Sequence, residues 1–257
     1  MKSKNKFKNK RVFFTIADEK NMPLFQKMEK SFHHFHPTEE IKFVGQQELD
    51  VLLKKDPQFF YRATPTIALN LFDQGYTEVI KIDADSLILG DLSHTWEGNF
   101  DIGVVNNGNP REMKKYPVTV LNIHPLSYLN CGYVVMKSRR FVEHWMALCA
   151  SDHFMHYQMR EQDLLNVMVF YMNTGLNGPY NVKFLDTGKY ANGLITRGYE
   201  PQMILKDGEV ILPKNEEWNQ EDKYVKVFHY AGGNINKGNY NLIFKEEVAK
   251  FIDQITK

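Results

Sequence analysis

The order of the first three apolar segments constrains the fold more than any other feature of the sequence. Residues 12–17 (Val-Phe-Phe-Thr-Ile-Ala) form a compact β-branched and aromatic run, which predicts a buried strand. Residues 22–35 carry apolar side chains at helical spacing, and Pro37 ends that helix. A second short strand is predicted at residues 41–44. This order of strand, helix and strand predicts a parallel sheet with a crossover helix, and therefore an α/β fold.

A later strand leads directly into a pair of acids. Residues 66–72 predict a helix closed by Gly75, and residues 79–82 predict a strand that runs into Asp83-Ala84-Asp85. In open α/β sheets, ligands bind at the carboxyl ends of the strands, so we expect these acids at the ligand-binding edge. The other predicted elements are strands at 100–105, 132–136 and 225–229, helices at 141–150, 162–171 and 244–255, and a turn-rich loop at 173–179.

Composition and charge limit the partners and the compartment. The 257 residues include 32 Lys and Arg against 31 Asp and Glu, so no strong field would draw the chain to nucleic acid. Cys131 and Cys149 are the only cysteines, which favours a reducing, cytoplasmic location. No apolar run approaches the roughly 20 residues that span a bilayer, so any membrane contact would be peripheral. We expect a basic, flexible arm at residues 1–10 and one domain at residues 11–257.

The Asp83-Ala84-Asp85 motif is a candidate cation site. After a strand end, both carboxylates can converge on one hard cation such as Mn²⁺ or Mg²⁺. An alternative is a haloacid-dehalogenase-type phosphatase, in which one Asp is the nucleophile and the other the acid or base. In that class the motif lies on the first strand, whereas here a complete strand–helix–strand unit precedes it and Ser86 follows it. A solvated pair of loop acids is a third interpretation.

Several segments, in order along the chain, match the motifs of one enzyme family. They are Thr15-Ile16-Ala17-Asp18, Tyr61-Arg62-Ala63, Ile80 to Leu92, Asn130 to Met136, Glu161 to Asn166 and Val227 to Gly232. Together they resemble GT-A fold glycosyltransferases, most closely glycosyltransferase family 8, which includes glycogenin-like and bacterial lipopolysaccharide galactosyltransferases. The resemblance spans most of the chain. It implies a single GT-A (Rossmann-like) domain with a central, mostly parallel mixed sheet flanked by helices.

The resemblance also implies roles for individual residues. Asp83 and Asp85 would hold the metal ion, with His229 as the third ligand. Residues 15–18 would hold the base and ribose of a nucleotide, and Arg62 would face its diphosphate or the donor sugar. The complete set implied in nucleotide-sugar binding is Thr15, Ile16, Ala17, Asp18, Arg62, Ala84, Asn130, Gly132, Gly232, Gly233 and Lys237. The residues implied in catalysis are Glu161, Gln162 and Asp163.

Two positions depart from the family's pattern. Glu161 stands where the family has Asp, and Lys237 comes later than the family's Lys and is followed by Gly-Asn instead of Pro-Trp. We expect a metal-dependent, retaining glycosyltransferase that moves a sugar from a UDP-sugar to a glycan or another hydroxyl acceptor. A non-catalytic module that binds sugar nucleotides or glycans is the alternative. The segments 106–122 and 173–202, where acceptor-binding loops are expected, carry no interpretable motif.

Overall fold

The structure is a computed structural model, and it describes residues 10–106, 123–151, 157, 159–173, 178–193, 198–216, 220–230 and 243–257. The predicted basic arm, except for its last residue, lies outside these ranges. The strands are β1 (Arg11–Ile16), β2 (Ile41–Val44), β3 (Glu78–Ile82), β4 (Ser86–Ile88), β5 (Ile102–Asn106), β6 (Leu129–Met136), β7 (Val182–Phe184), β8 (Tyr190–Asn192), β9 (Ile204–Lys206), β10 (Glu209–Leu212) and β11 (Lys223–His229).

The helices lie between these strands and after the last of them. The α-helices are α1 (Met22–Phe35), α2 (Gln46–Lys55), α3 (Ala63–Asp73), α4 (Ser93–Trp96), α5 (Arg139–Cys149), α6 (Glu161–Val167) and α7 (Glu246–Ile255). Short 3-10 helices cover Glu19–Asn21, Phe59–Arg62, Pro125–Ser127 and Glu200–Gln202, and a π-helical turn, Met168–Met172, continues α6.

A six-stranded sheet in the order β2-β1-β3-β6-β5-β7 forms the centre of the fold. Strand β1 pairs in parallel with β2 and β3, and β5 pairs in parallel with β7. Strand β6 is antiparallel to both of its neighbours, β3 and β5. The carboxyl ends of all strands except β6 therefore meet at one edge of this sheet, and the predicted α/β class with a mostly parallel mixed sheet is confirmed.

Helices cover both faces of the central sheet. In β1, Phe14 faces a core shared with α3, α5 and α6, whereas Phe13 faces a second core shared with α1. This alternation follows from the two-residue period of a strand, and it explains why the strand is apolar throughout. Phe13 is fully buried and contacts the rings of Phe32 and Trp96, with centroids 4.6 and 5.5 Å away.

A smaller sheet brings the end of the chain back to the acidic motif. Its strands lie in the order β4-β11-β10-β9, and β8 pairs in parallel with β11. Strand β4 begins directly after Asp85 and is antiparallel to β11, so that His229 lies opposite Ser86. The last helix, α7, packs against this sheet through a third apolar cluster that includes Val248 and Ile252. The pairing of β4 with β11 is what places His229 beside the two acids.

The structure corrects several predicted boundaries. The strand expected at 132–136 begins at Leu129, because Leu129 and Asn130 also pair with β5. The strand expected at 100–105 covers 102–106, the helix expected at 66–72 begins at Ala63, and the helix expected at 162–171 changes to a π-helical turn after Val167. Within the segment 173–202, described residues form β7 and β8. Among the described residues, no helix is both long and apolar enough to cross a membrane.

Candidate metal and donor site

Asp83, Asp85 and His229 form a cluster of three candidate metal ligands. One ligand atom of each residue lies within 4.8 Å of the other two. The Nε2 atom of His229 is 3.4 Å from Asp83 Oδ2 and 3.2 Å from Asp85 Oδ1. The turn after β3 holds the acids in place, because the Ser86 amide donates to the Asp83 carbonyl. The three residues that the sequence analysis assigned to metal binding are therefore brought together.

His229 is buried, and its ring lies between Gly132 and the two acids. His229 is 3% exposed, and its Nδ1 atom makes no hydrogen bond within the described part of the chain. Gly132 lies so close to the ring that a Cβ atom there would come within 2.7 Å of His229 Cε1 and Nδ1. Burial alone would lower the pKa of His229, but the hydrogen bonds to Asp83 and Asp85 outweigh it and raise the pKa to about 9.

Lys81 is a buried lysine inside the same site. Its Nζ atom lies 2.8 Å from Asp83 Oδ1 and donates to the Cys131 carbonyl at 2.9 Å. Burial would raise the pKa of Asp83, but the Lys81 charge and the hydrogen bond with His229 hold it well below its ordinary value. The sequence predicts no role for Lys81, because a single lysine within an apolar strand gives no sign of the carboxylate that it contacts.

The donor atoms of this cluster fit a divalent ion. Two carboxylate oxygens and one imidazole nitrogen suit Mn²⁺ or Mg²⁺, of which Mn²⁺ accepts the mixed donor set more readily. Three protein ligands also leave coordination positions for the oxygens of a diphosphate. Asp83, Asp85 and His229 would hold such an ion, and because a proton on His229 Nε2 competes for the same atoms, ion binding would displace it.

The predicted nucleotide residues lie at the carboxyl end of β1. Thr15 and Ala17 are buried, and the Thr15 Oγ1 atom makes no hydrogen bond to any described residue. The Asp18 carboxylate accepts from the backbone and side-chain nitrogens of Asn21, at 2.9 and 2.7 Å, and so caps the 3-10 helix that follows. Asp18 is therefore held in place, at the sheet edge where β3 delivers Asp83.

A cavity that the sequence analysis missed opens beside these residues. Its volume is about 510 Å³, within the range typical of ligand pockets. It is lined by Glu19, Met22, Phe43, Gly45, Gln46, Gln47 and Glu48. Phe43 lies near the end of β2 and the other lining residues follow β1 or β2, so the cavity lies on the carboxyl side of the sheet. The signal in the sequence was Gly45 between a strand and a polar helix start.

The residues predicted to contact the donor sugar fall into two environments. Gln162 lies at the start of α6, where its Oε1 atom accepts from the Cys131 amide at 3.0 Å and its Nε2 atom is 3.4 Å from Tyr128 OH. Asp163 is fully buried, and it accepts from Tyr128 OH at 2.7 Å and from the Met159 amide at 2.8 Å. Gln162 therefore borders β6 near the metal cluster, whereas Asp163 is occupied in holding α6.

Glu161 links α6 to the start of α3. Its carboxylate accepts from the Thr64 amide at 3.0 Å and from the Thr64 hydroxyl at 2.5 Å. Burial raises the pKa of Glu161, and the Lys81 charge opposes that shift. The preceding residue, Arg160, has φ 49° and ψ −121°, a conformation that a non-glycine residue adopts only under strain. Strain of this kind is concentrated at functional sites.

The remaining predicted donor residues have mixed placements. The Asn130 Oδ1 atom accepts from the Gly132 amide at 2.5 Å, and Ala84 packs in the core on the α1 side. Arg62 binds Asp56, with its Nε and one terminal nitrogen 2.7 and 2.5 Å from the same carboxylate oxygen. Arg62, which was predicted to face the diphosphate or the donor sugar, therefore forms an ion pair with Asp56 in this structure. Gly232, Gly233 and Lys237 lie outside the described residues.

Several solved structures have a fold similar to that of this chain. The galactosyltransferase LgtC, solved with donor and acceptor sugar analogs, aligns over 95% of both chains with a TM-score of 0.52 and 14% identity. A glycosyltransferase involved in glycosylation of the major capsid of PBCV-1 aligns over 96% of this chain and 98% of its own, with a TM-score of 0.52 and 10% identity. The bifunctional glycosyltransferase WbbM gives a TM-score of 0.55 and 17% identity, over 97% of this chain and 50% of WbbM. No protein-family model and no curated protein sequence matches the chain. The chain has the GT-A glycosyltransferase fold, as predicted.

Proposed function

We propose that this protein is a metal-dependent, retaining glycosyltransferase that moves a sugar from a UDP-sugar to a hydroxyl group of a glycan or similar acceptor. The observation that carries the proposal is the convergence of Asp83, Asp85 and His229 at the ligand-binding edge of a GT-A fold. Solved structures with this fold, at low identity, include transferases that act on sugars. The resemblance of the motifs to family 8 supports retention and a UDP-sugar donor.

The proposed chemistry relies on stabilising a departing diphosphate. When bound, the divalent ion supplies positive charge where negative charge develops as the bond to the sugar breaks. Asp83, Asp85 and His229 would hold that ion, and residues 15–18 together with the adjacent cavity would receive the nucleoside. Gly232, Gly233 and Lys237 would approach the diphosphate, and Arg62 would do so after leaving Asp56.

The donor sugar is proposed to lie between β6 and the start of α6. Asn130, Gly132, Glu161 and Gln162 border this region, and the carboxamide of Gln162 is fixed by the Cys131 amide. A fixed polar group beside the reacting carbon holds the sugar in a reactive orientation without cost at the moment of reaction. Asp163 contributes by anchoring α6 through Tyr128 and Met159.

The test is a screen of nucleotide sugars for hydrolysis and transfer, with manganese or with a chelator. Asp85→Asn should abolish manganese-dependent turnover of whichever donor is accepted, because it removes one anionic ligand. Asp207→Asn is the matched control, since Asp207 is exposed and lies in the tight turn between β9 and β10, where Asn tolerates the positive φ of 53°.

Two other outcomes would redirect the assignment. Turnover of a phosphate monoester without nucleotide binding would favour the phosphatase alternative. Manganese-dependent binding of UDP with no transfer or hydrolysis of any donor would favour a non-catalytic binding module. Turnover of a nucleotide sugar that is unchanged by the chelator and by Asp85→Asn would refute metal dependence.

A further inference from the structure

We infer that Lys81 is a positioning residue that sets the charge of the proposed metal site, weakening the binding of the bare ion and strengthening the binding of the nucleoside diphosphate. This inference rests on the proposed function and adds to it a residue that the motifs do not contain. It begins from one observation: a buried ammonium group shares a carboxylate with the candidate metal ligands.

The burial of Lys81 shows that its contacts are specific. Its side chain is 9% exposed, in the middle of a strand whose other residues are all buried. A buried ammonium group is costly unless it is paired and hydrogen-bonded. Its partners are the Asp83 carboxylate and the Cys131 carbonyl, both on the side of the sheet edge where the candidate site lies. An apolar side chain would fill the same place at lower cost, so stability alone does not explain the lysine.

The two carboxylate oxygens of Asp83 face different partners, Lys81 and His229. Oδ1 binds Lys81 at 2.8 Å, whereas Oδ2 is the atom that faces His229 Nε2 at 3.4 Å. Asp83 can therefore offer one oxygen to a metal ion while the other is held. This fixes the direction in which Oδ2 points, and it favours a single Asp83–metal bond over a bidentate one.

The contact also changes the charge of the cluster. Asp83 and Asp85 together would neutralise a divalent ion completely if His229 is a neutral ligand. Lys81 adds one positive charge beside these acids and beside Glu161, whose carboxyl also feels the Lys81 charge, so the site with its ion is more positive by one charge than it would be without the lysine. A nucleoside diphosphate is strongly anionic, and its oxygens bind at short range in a site of low dielectric, where one charge has a large effect.

Two effects of opposite sign follow. Removing the Lys81 charge should strengthen the binding of Mn²⁺ alone, because both carboxylates then act on the ion without competition. The same change should weaken the binding of UDP to the manganese-loaded protein. We expect each affinity to change by about tenfold or more, which is the scale of a single-charge interaction in a partly screened site. General damage to the site would instead weaken both.

The test measures both affinities by calorimetry: Mn²⁺ alone, and UDP at saturating Mn²⁺. Lys81→Met and Lys81→Gln remove the charge, and Lys81→Arg retains it. Lys226→Met is the matched control, because the Lys226 side chain is also 9% exposed and pairs with one carboxylate, that of Glu209. The neutral Lys81 variants should bind Mn²⁺ more tightly and UDP more weakly, whereas Lys81→Arg and Lys226→Met should stay near wild type in both.

The result that overturns the inference is a change of both affinities in the same direction in the neutral variants, or no change in either. Failure of both neutral variants to fold would also overturn it, because it would assign Lys81 a purely structural role. Failure of the proposed function is distinct: the wild-type protein would then bind no UDP at any manganese concentration, while the manganese titrations would still compare the bare site with and without Lys81.

Discussion

Adding one methyl group at Gly132 should weaken the proposed metal site without replacing any of its ligands. Gly132 lies in β6, and a Cβ atom there would come within 2.7 Å of His229 Cε1, His229 Nδ1 and Asn130 Oδ1. Non-bonded carbon atoms need about 3.5 Å, so the imidazole ring must retreat by about 1 Å. Metal–ligand distances tolerate deviations of only about 0.2 Å. Gly132→Ala should therefore lower the affinity for Mn²⁺ by at least about tenfold.

The movement of His229 has little room elsewhere. The ring is 3% exposed, and the backbone of His229 is held in the pairing of β11 with β4. Overpacking of this kind should also cost about 1–3 kcal/mol of unfolding free energy. The assay combines a manganese titration, followed by calorimetry or by the electron paramagnetic resonance signal of free Mn²⁺, with thermal unfolding of the same samples.

A matched control separates ligation from stability. Gly103→Ala adds a methyl group to another buried strand glycine, where the nearest atoms would be Leu185 Cδ2 and Val135 Cβ, both at 3.1 Å. Because these contacts are less severe than those at Gly132, the stability cost should be no larger than that of Gly132→Ala, and manganese binding should stay intact. If Gly132→Ala binds Mn²⁺ as tightly as wild type, the reasoning that places His229 Nε2 on the ion is wrong.

Three further predictions concern groups outside the ligand set. Burial raises the pKa of Asp186 to about 7, so this carboxyl stabilises the fold when it is protonated and loses that contribution as the pH rises from about 4 through 7. The resulting decline in unfolding free energy is at most about 4 kcal/mol. Asp186→Asn should flatten this decline in urea unfolding measured at several pH values. Thr64→Val removes the hydroxyl donor to the partly buried Glu161 and should cost about 1–3 kcal/mol in the same assay, with the same cost at every Mn²⁺ concentration. Phe13→Ala should cost about 3–5 kcal/mol, because the ring is fully buried between the α1 and α4 side chains; a loss below about 1 kcal/mol would contradict the assigned core.

The elements that could be predicted from the sequence are those with a strong local signal. The bounds of α1 and β2 match the prediction, since an amphipathic repeat and Pro37 mark one and a short apolar run marks the other. Helix α2 was missed because it buries only Leu49. Strands β7 to β10 were missed because three or four residues are too few to show a two-residue period.

The candidate site was only partly predictable for a different reason. Asp83 and Asp85 could be located from the strand before them, and His229 from the motif resemblance, because each signal is local in sequence. The contacts of Lys81 with Asp83 and of Gly132 with His229 depend on the close approach of separate strands. The ion pair of Arg62 with Asp56 was likewise hidden, since it depends on the turn between α2 and α3. Patterns of residue type identify ligands, whereas the groups that orient the ligands emerge only from packing.

The most direct test of the central claim is to locate the ion itself. Crystals of the protein grown with UDP and Mn²⁺ would be measured at the manganese absorption edge, and an anomalous difference map would show where the metal lies. The account predicts one strong peak at roughly 2 to 2.5 Å from oxygens of Asp83 and Asp85 and from His229 Nε2, with the UDP diphosphate on its open side. UDP bound without a peak at these three residues, or with the peak elsewhere, would contradict it.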